Sequence, residues 1–305
     1  MRWEKRGLVY APDGSIDWAQ SHAFPPTPYL RDDGVLRIYA CSCDEAMVGR
    51  VGFVDVDPDE PSRIVGVASE PVLDIGAPGS FDENGVVPIS ILRVDDRLFL
   101  YYVGFQLGAK VRYYQFTGLA ISADGGDSFV RASRAPVLDR SDGELLTRGS
   151  PFVVSDGDRF HVWYAAGSEW TVVGDKSLPV YNIRHAESED GIHWPDEGEV
   201  AIDFADENEH ALGRPWIVQD GALARMFYSI RTRSLGYRIG YAESTDGATW
   251  TRKDDAAGID VSPTGWDSET ICYASVFRRN GTTTMFYNGN DVGRTGFGYA
   301  VLAGD

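Results

Sequence analysis

The sequence predicts an all-β chain, a five-bladed β-propeller of four-stranded antiparallel blades whose ring is closed by the N-terminal strand. Three observations lead there. A hairpin-and-tyrosine pattern occurs five times, a Ser-x-Asp-Gly phrase occurs three times, and the composition favours short strands joined by tight turns, with 34 Gly, 15 Tyr, 14 Phe and 8 Trp in 305 residues.

The pattern runs from a proline, through a turn, to an aromatic strand ending in tyrosine. It reads PYLRDDGVLRIY at 28–39, PISILRVDDRLFLY at 88–101, PFVVSDGDRFHVWY at 151–164 and PWIVQDGALARMFY at 215–228. A fifth copy, ASVFRRNGTTTMFY at 274–287, has alanine in the proline position. The closing tyrosines recur at steps of 62, 63, 64 and 59 residues. Asp-Asp, Asp-Gly or Asn-Gly in the middle of each copy is hairpin chemistry, and the Val, Ile, Phe and Tyr on either side suit strands.

A third strand follows each tyrosine: GRVGFVDVD, GLAISADGG, IRHAESEDG, IGYAESTDG and FGYAVLAGD. A short fourth is expected at PVLD 71–74, PVLD 136–139, VAID 200–203 and GIDV 258–261. The last unit lacks a fourth strand of its own, and RGLVYAP at 6–12 is expected to supply it beside 297–302, so that residues 1–305 make one domain. The Ser-x-Asp-Gly phrases, at Asp124, Asp190 and Asp246, sit where the third strand turns into the fourth. Asp and Gly tolerate positive φ there, so the phrase reads as architecture, and no chemistry is placed on it. It resembles the Asp-box of sialidase-type propellers.

Net charge is −18, which disfavours nucleic acid and anionic membrane as partners. No apolar run reaches spanning length, and the opening MRWEKRGLVYAPDG has no leader-like apolar core, so a cytoplasmic location is expected. Cys41, Cys43 and Cys272 have no zinc-like spacing and read as buried thiols; no metal or cofactor is expected.

Chemistry is expected where the five segments leading into the first strands converge on a central funnel. Six residues before the proline position stand His22, Asp82, Leu145, Glu209 and Ser268. Beside them stand Glu83, Glu144, His210, Asp267 and Glu269, and nearer the strand Arg148, Arg214 and Tyr273. Six carboxylates at one depth suit glycoside chemistry, which needs an acid for the leaving oxygen and a second carboxylate as base or nucleophile. Crowding separates the pKa values of such groups. Arginines bind carboxylates or an anionic substrate. Trp170 and Tyr181 are placed to stack on sugar rings.

With these repeats, the S-x-D-G-x-x-W turns and FDENGVVP, the chain resembles the five-bladed propeller superfamily of carbohydrate enzymes. That superfamily holds the arabinanase and β-xylosidase family, the invertase and levanase family, and the mannoside phosphorylases. FDENGVVPISI and GRPWIV resemble members that accompany polysaccharide biosynthesis. The resemblance implies glycosyl cleavage or transfer on a carbohydrate or activated sugar. By alignment of the acid-bearing fourth blade it implies Glu209 as general acid. Asp82 is the candidate base, nucleophile or orienting carboxylate, with Asp267 and Glu269 tuning pKa or binding hydroxyls. His22, Glu83, Glu144, Arg148, His210, Arg214 and Tyr273 are expected at the substrate. Departures are specific: His22 stands where arabinanases and invertases carry Asp, RGSP replaces the invertase RDP, and ECP has no counterpart. Mannoside phosphorylases do without a protein base because phosphate attacks, which keeps phosphorolysis and transfer open beside hydrolysis. The alternatives are a non-catalytic sugar-binding propeller and a protein-interaction propeller.

Overall fold

A computed structural model describes residues 1–174 and 176–304. Strands β2 (Ser21–Leu30), β3 (Leu36–Cys43), β4 (Gly49–Val56) and β5 (Ile64–Val67) pair in sequence order, antiparallel. The same meander recurs in β6 (Val86–Val94), β7 (Arg97–Leu107), β8 (Tyr113–Ser122) and β9 (Val130–Arg131). It recurs in β10 (Thr147–Ser155), β11 (Phe160–Val173), β12 (Lys176–Ser188) and β13 (Glu199–Ile202). A further copy is β14 (Glu209–Asp220), β15 (Leu223–Thr232), β16 (Arg238–Ser244) and β17 (Thr251–Arg252). In the last, β18 (Cys272–Arg279), β19 (Thr282–Asn288) and β20 (Phe297–Leu302) are joined by β1 (Trp3–Tyr10), paired from Trp3 against Leu302 to Tyr10 against Phe297.

Each set buries both faces against its neighbours, because its strands alternate large apolar residues on the two sides. Tyr39 and Val51 pack with Leu100 and Tyr102; Tyr101 and Leu119 with Val162 and Tyr164; Trp163 and Ile183 with Met226 and Tyr228. Phe227 and Tyr241 pack with Val276 and Met285, and Phe286 and Phe297 with Ile38 and Val54, which brings the last set against the first. The first strands follow the same order: β2 lies beside β6 and β18, β6 beside β10, β10 beside β14, and β14 beside β18.

The fourth strands differ from the sequence expectation at three places. They lie at Ile64–Val67, Val130–Arg131 and Thr251–Arg252, ahead of the expected positions; only Glu199–Ile202 overlaps its expected site. The two PVLD stretches instead make single bridges, Val51 with Leu73 and Thr117 with Leu138, while Leu73 and Leu138 are buried between sets. Their apolar character reports burial and not pairing; the outer strands carry exposed Ile64, Val65 and Val130.

The Ser-x-Asp-Gly phrases close on themselves. Asp246 Oδ1 accepts the Ala248 and Thr249 amides at 2.9 and 2.8 Å and the Ser244 hydroxyl at 2.9 Å, and Gly247 N donates to Ser244 Oγ at 2.9 Å. Asp124 and Asp190 repeat this arrangement. Desolvation opposes ionisation of Asp124, yet bonds from Ser122, Ser128 and two amides hold its carboxyl down at about 2. The glycines serve a neighbour as well. Tyr39 Oη donates to Gly126 O at 2.7 Å and Tyr101 Oη to Gly191 O at 2.9 Å. A Cβ on Gly126 would lie 2.0 Å from that hydroxyl, and both glycines have positive φ.

Candidate functional site

Three first strands carry a bulge at one recurring place. Register shifts fall between Gly149 and Phe152, Gly213 and Trp216, and Cys272 and Ser275. Inside each shift a non-glycine residue has positive φ: Ser150 at 53°, Arg214 at 54° and Tyr273 at 58°. In β2 a separate shift between Ser21 and Phe24 holds His22 at φ 61°. Such backbone is costly for L-residues, and a bulge re-aims the side chain it carries. Ser150, Arg214 and Tyr273 converge with Phe24, Val87, Phe105 and Gln115 on a cavity of about 40 Å³ that draws on all five sets. About 10–15 Å³ holds one water, so the space suits about three waters or one small polar group.

Beside it, sharing Tyr273, several aromatics gather around Arg231. Its guanidinium lies 4.9 Å over the Tyr237 ring, among the phenols of Tyr113, Tyr181 and Tyr273. Tyr237 and Tyr273 hydroxyls are 3.4 Å apart, Trp170 packs edge-on against Tyr113 at 5.1 Å, and Phe24 stacks on Tyr273 at 6.3 Å. The Trp170 indole N–H is buried with no partner. His210 is buried beside this wall with Nδ1 3.1 Å from Pro179 O; desolvation lowers its pKa, and Arg231 and Arg233 add to that.

Of the residues expected at the site, Trp170, Tyr181, His210, Arg214 and Tyr273 are thus gathered around the centre. His22 is buried, 3.0 Å from Ser21 Oγ and edge-on to Phe24, the residue that reaches the cavity. The expected carboxylates behave differently. Asp82 is fully buried and accepts from Arg131 Nε at 2.7 Å, Tyr102 Oη at 2.9 Å and Ser80 Oγ at 2.9 Å. Glu209 takes both Arg252 Nη groups at 2.7 and 2.8 Å. Asp267 takes Lys5 Nζ at 2.6 Å and Tyr287 Oη at 3.0 Å. Glu144 takes Tyr164 Oη at 2.9 Å, with Arg148 at 2.5 Å and Arg184 at 3.2 Å. The expectation that Glu209 and Asp82 face one another across the funnel is therefore not met. Each is turned outward into its own set, where Arg252 of β17 or Arg131 of β9 meets it. Arg148 is turned the same way, bonded to Asp139 O, Pro195 O and Tyr164 Oη.

Glu83 and Glu269 are the two expected carboxylates without a cation among the described residues. Glu83 Oε2 accepts the Gly79 amide at 2.6 Å, and its Oε1 lies 3.5 Å from Gln106 Nε2; Glu269 is exposed. Among the described residues no acid lines the cavity itself. Four of the residues that reach it share one sequence register, directly before the proline position: Val87, Ser150, Arg214 and Tyr273. Thr27, the first set's residue there, bonds Arg214 Nη2 at 3.2 Å. Counting back one residue instead of six would have found them. Arg231, Tyr113, Tyr237, Phe24, Phe105 and Gln115 carry no such register and are set by the fold alone.

Cys41, Cys43 and Cys272 are buried free thiols. Among the described residues no helix is long and apolar enough to cross a membrane.

No family model matches the chain. It is 38% identical over 302 residues to a protein of Mycobacterium tuberculosis (strain ATCC 25618 / H37Rv) described as "Uncharacterized protein Rv1502", covering 99% of each. Among solved structures it is similar to a "Glycoside hydrolase" with TM-score 0.75, 19% identity and coverage of 98% of this chain and 90% of the other. It is also similar to a thermostable family-43 glycoside hydrolase with TM-score 0.67, 15% identity and coverage of 96% and 90%.

Proposed function

From the premise that this chain belongs to the family of the Mycobacterium tuberculosis protein Rv1502 and has the fold of glycoside hydrolases, we propose a carbohydrate-acting role. On this reading it is a single five-bladed β-propeller closed by its N-terminal strand, and it cleaves or transfers a glycosyl unit at the central cavity. The observation that carries it is the convergence of Ser150, Arg214 and Tyr273, each on strained backbone, beside an aromatic rim of Tyr113, Trp170, Tyr181 and Tyr237. Aromatic faces offer apolar area to a sugar ring, and their hydroxyls bind its oxygens. The cyclic order of first-strand neighbours and the packing of the last set on the first support the closed ring.

Glycosidic cleavage draws on two carboxylates. Asp82, Glu144, Glu209 and Asp267 are held by cations, so in this reading Glu83 and Glu269 supply the acid–base pair. A second reading, a sugar-binding propeller without turnover, is favoured by the absence, among the described residues, of any acid from the cavity wall. A panel of aryl glycosides and activated sugars, scored for thermal shift and for product, separates the two. Enzyme is expected to release product, and Glu83→Gln to lower turnover about a hundredfold with the melting temperature kept. Shift without product establishes the binder. Neither shift nor product on any sugar overturns the carbohydrate role.

A further inference from the structure

Arg214 lies 0% exposed on the cavity wall of a chain that carries 46 acids, and none of them reaches it among the described residues. Its Nη2 is satisfied by Pro26 O at 3.1 Å and Thr27 Oγ1 at 3.2 Å, across the centre in the first set. Its Nε and Nη1 have no hydrogen-bond partner. The Trp216 ring face, 4.9 Å away, offers the cation a weak counterpart only. Among the described residues the other two buried arginines are ion-paired, Arg37 to Asp55 and Asp127 and Arg148 to Glu144. Arg231, at the rim, likewise has no carboxylate within ion-pair distance among the described residues.

An isolated buried charge is among the most expensive things a protein can keep. Desolvation pulls the Arg214 guanidinium down to about 9, so the fold works against the cation it holds. Its backbone is strained as well, at φ 54°. Two separate penalties at one residue, in a cavity, mark a group kept for what it binds.

Resting on the carbohydrate role above, we propose that the ligand is acidic: a sugar carboxylate accepts a hydrogen bond from the unpartnered Nη1 of Arg214, with Arg231 at the rim drawing it in. The size of the cavity selects among anions. Space for about three waters takes a planar carboxylate more readily than a phosphate ester. Ser150 and Gln115, on the same wall, have the hydroxyl and amide to meet the remaining oxygens. The class is a uronate, free or terminal on a glycan.

The experiment titrates the full chain, by calorimetry at 0.15 M and 0.5 M salt, with glucuronate and galacturonate, their neutral counterparts glucose and galactose, glucose 6-phosphate, acetate and inorganic phosphate. A uronate is expected to bind at least tenfold more tightly than its neutral counterpart at both salt concentrations. Arg214→Met is expected to abolish that preference and to raise the melting temperature of the ligand-free protein by about 3 °C, because it removes an uncompensated charge. Arg231→Gln, at the partly buried rim, is expected to fold and to weaken the uronate about tenfold, which keeps the test open if Arg214→Met fails to fold. Equal binding of uronate and neutral sugar overturns the acidic ligand and leaves the carbohydrate role standing. Binding of acetate or phosphate with no sugar overturns the carbohydrate role and leaves an anion site. Glucose 6-phosphate binding tenfold above the uronates overturns the choice of carboxylate. A lowered melting temperature in Arg214→Met, with the uronate preference intact, makes Arg214 structural and ends the proposal.

Discussion

Asp82, Glu144, Glu209 and Asp267 occupy corresponding places in four successive units, yet each does its work away from the centre. Asp82, Glu144 and Asp267 meet a second-strand tyrosine hydroxyl, and Asp82, Glu209 and Asp267 meet a cation from the outermost strand of their own set. Such a carboxylate links the innermost and outermost strands of one sheet. Breaking one side of a buried pair leaves the other charge uncompensated, so Asp82→Asn should lower the unfolding free energy by about 3–5 kcal/mol, measured in urea. Sequence reading expected these acids to face the centre at one depth; in the structure each meets a cation. The reason is visible in the spacing: Arg131 is 49 residues from Asp82, Arg252 is 43 from Glu209, and Lys5 is 262 from Asp267. A local pattern shows an acid; whether it points inward depends on a cation far along the chain. The unpaired state of Arg214 was hidden for the same reason, since it is the lack of a partner and has no motif.

At the scale of elements, the strands were legible because period-two alternation and Asp-Gly or Asn-Gly turns are local. Asn280 and Gly281, at φ 50° and 79°, form the hairpin turn that their dipeptide announces. The bulges were not legible, since Ser150, Arg214 and Tyr273 are ordinary residues to which the fold gives left-handed backbone. The N-terminal strand was anticipated from a missing partner, and its register shows why it matters. β1 brings Trp3, buried with its indole N–H 3.0 Å from Ala257 O, Val9 in the contact between the last set and the first, and Lys5 on Asp267. Burying each of the two apolar side chains is worth about 1.5–3 kcal/mol. Deleting residues 1–12 should therefore lower the melting temperature by about 10 °C or more, read by scanning calorimetry. A truncated chain that melts with the full one would show that β1 is dispensable.

For the whole molecule, an acid-rich exterior surrounds a centre whose wall holds arginine and, among the described residues, no carboxylate, so field and fold oppose each other for an incoming anion until it passes the rim. The last set joins strands from both ends of the chain, and Ala303 N donates to Arg2 O at 2.9 Å. That seam has a consequence for biogenesis. During synthesis β1 has no partner until β20 leaves the ribosome, so its own edge stays unpaired while the intervening strands are made. The contact that locks the fold is also among the longest-range in the chain, which makes it slow to find. What matters is where the cut falls and not which residues lie beside it. A circular permutant that joins the ends through a short glycine linker and opens at the exposed Asp156–Gly157 turn keeps a sheet shared by both new ends. One opened at 206–207, between sets, has no such interlock. The first permutant should melt several degrees above the second, and equal melting would show that a seam within a sheet confers nothing that packing alone does not.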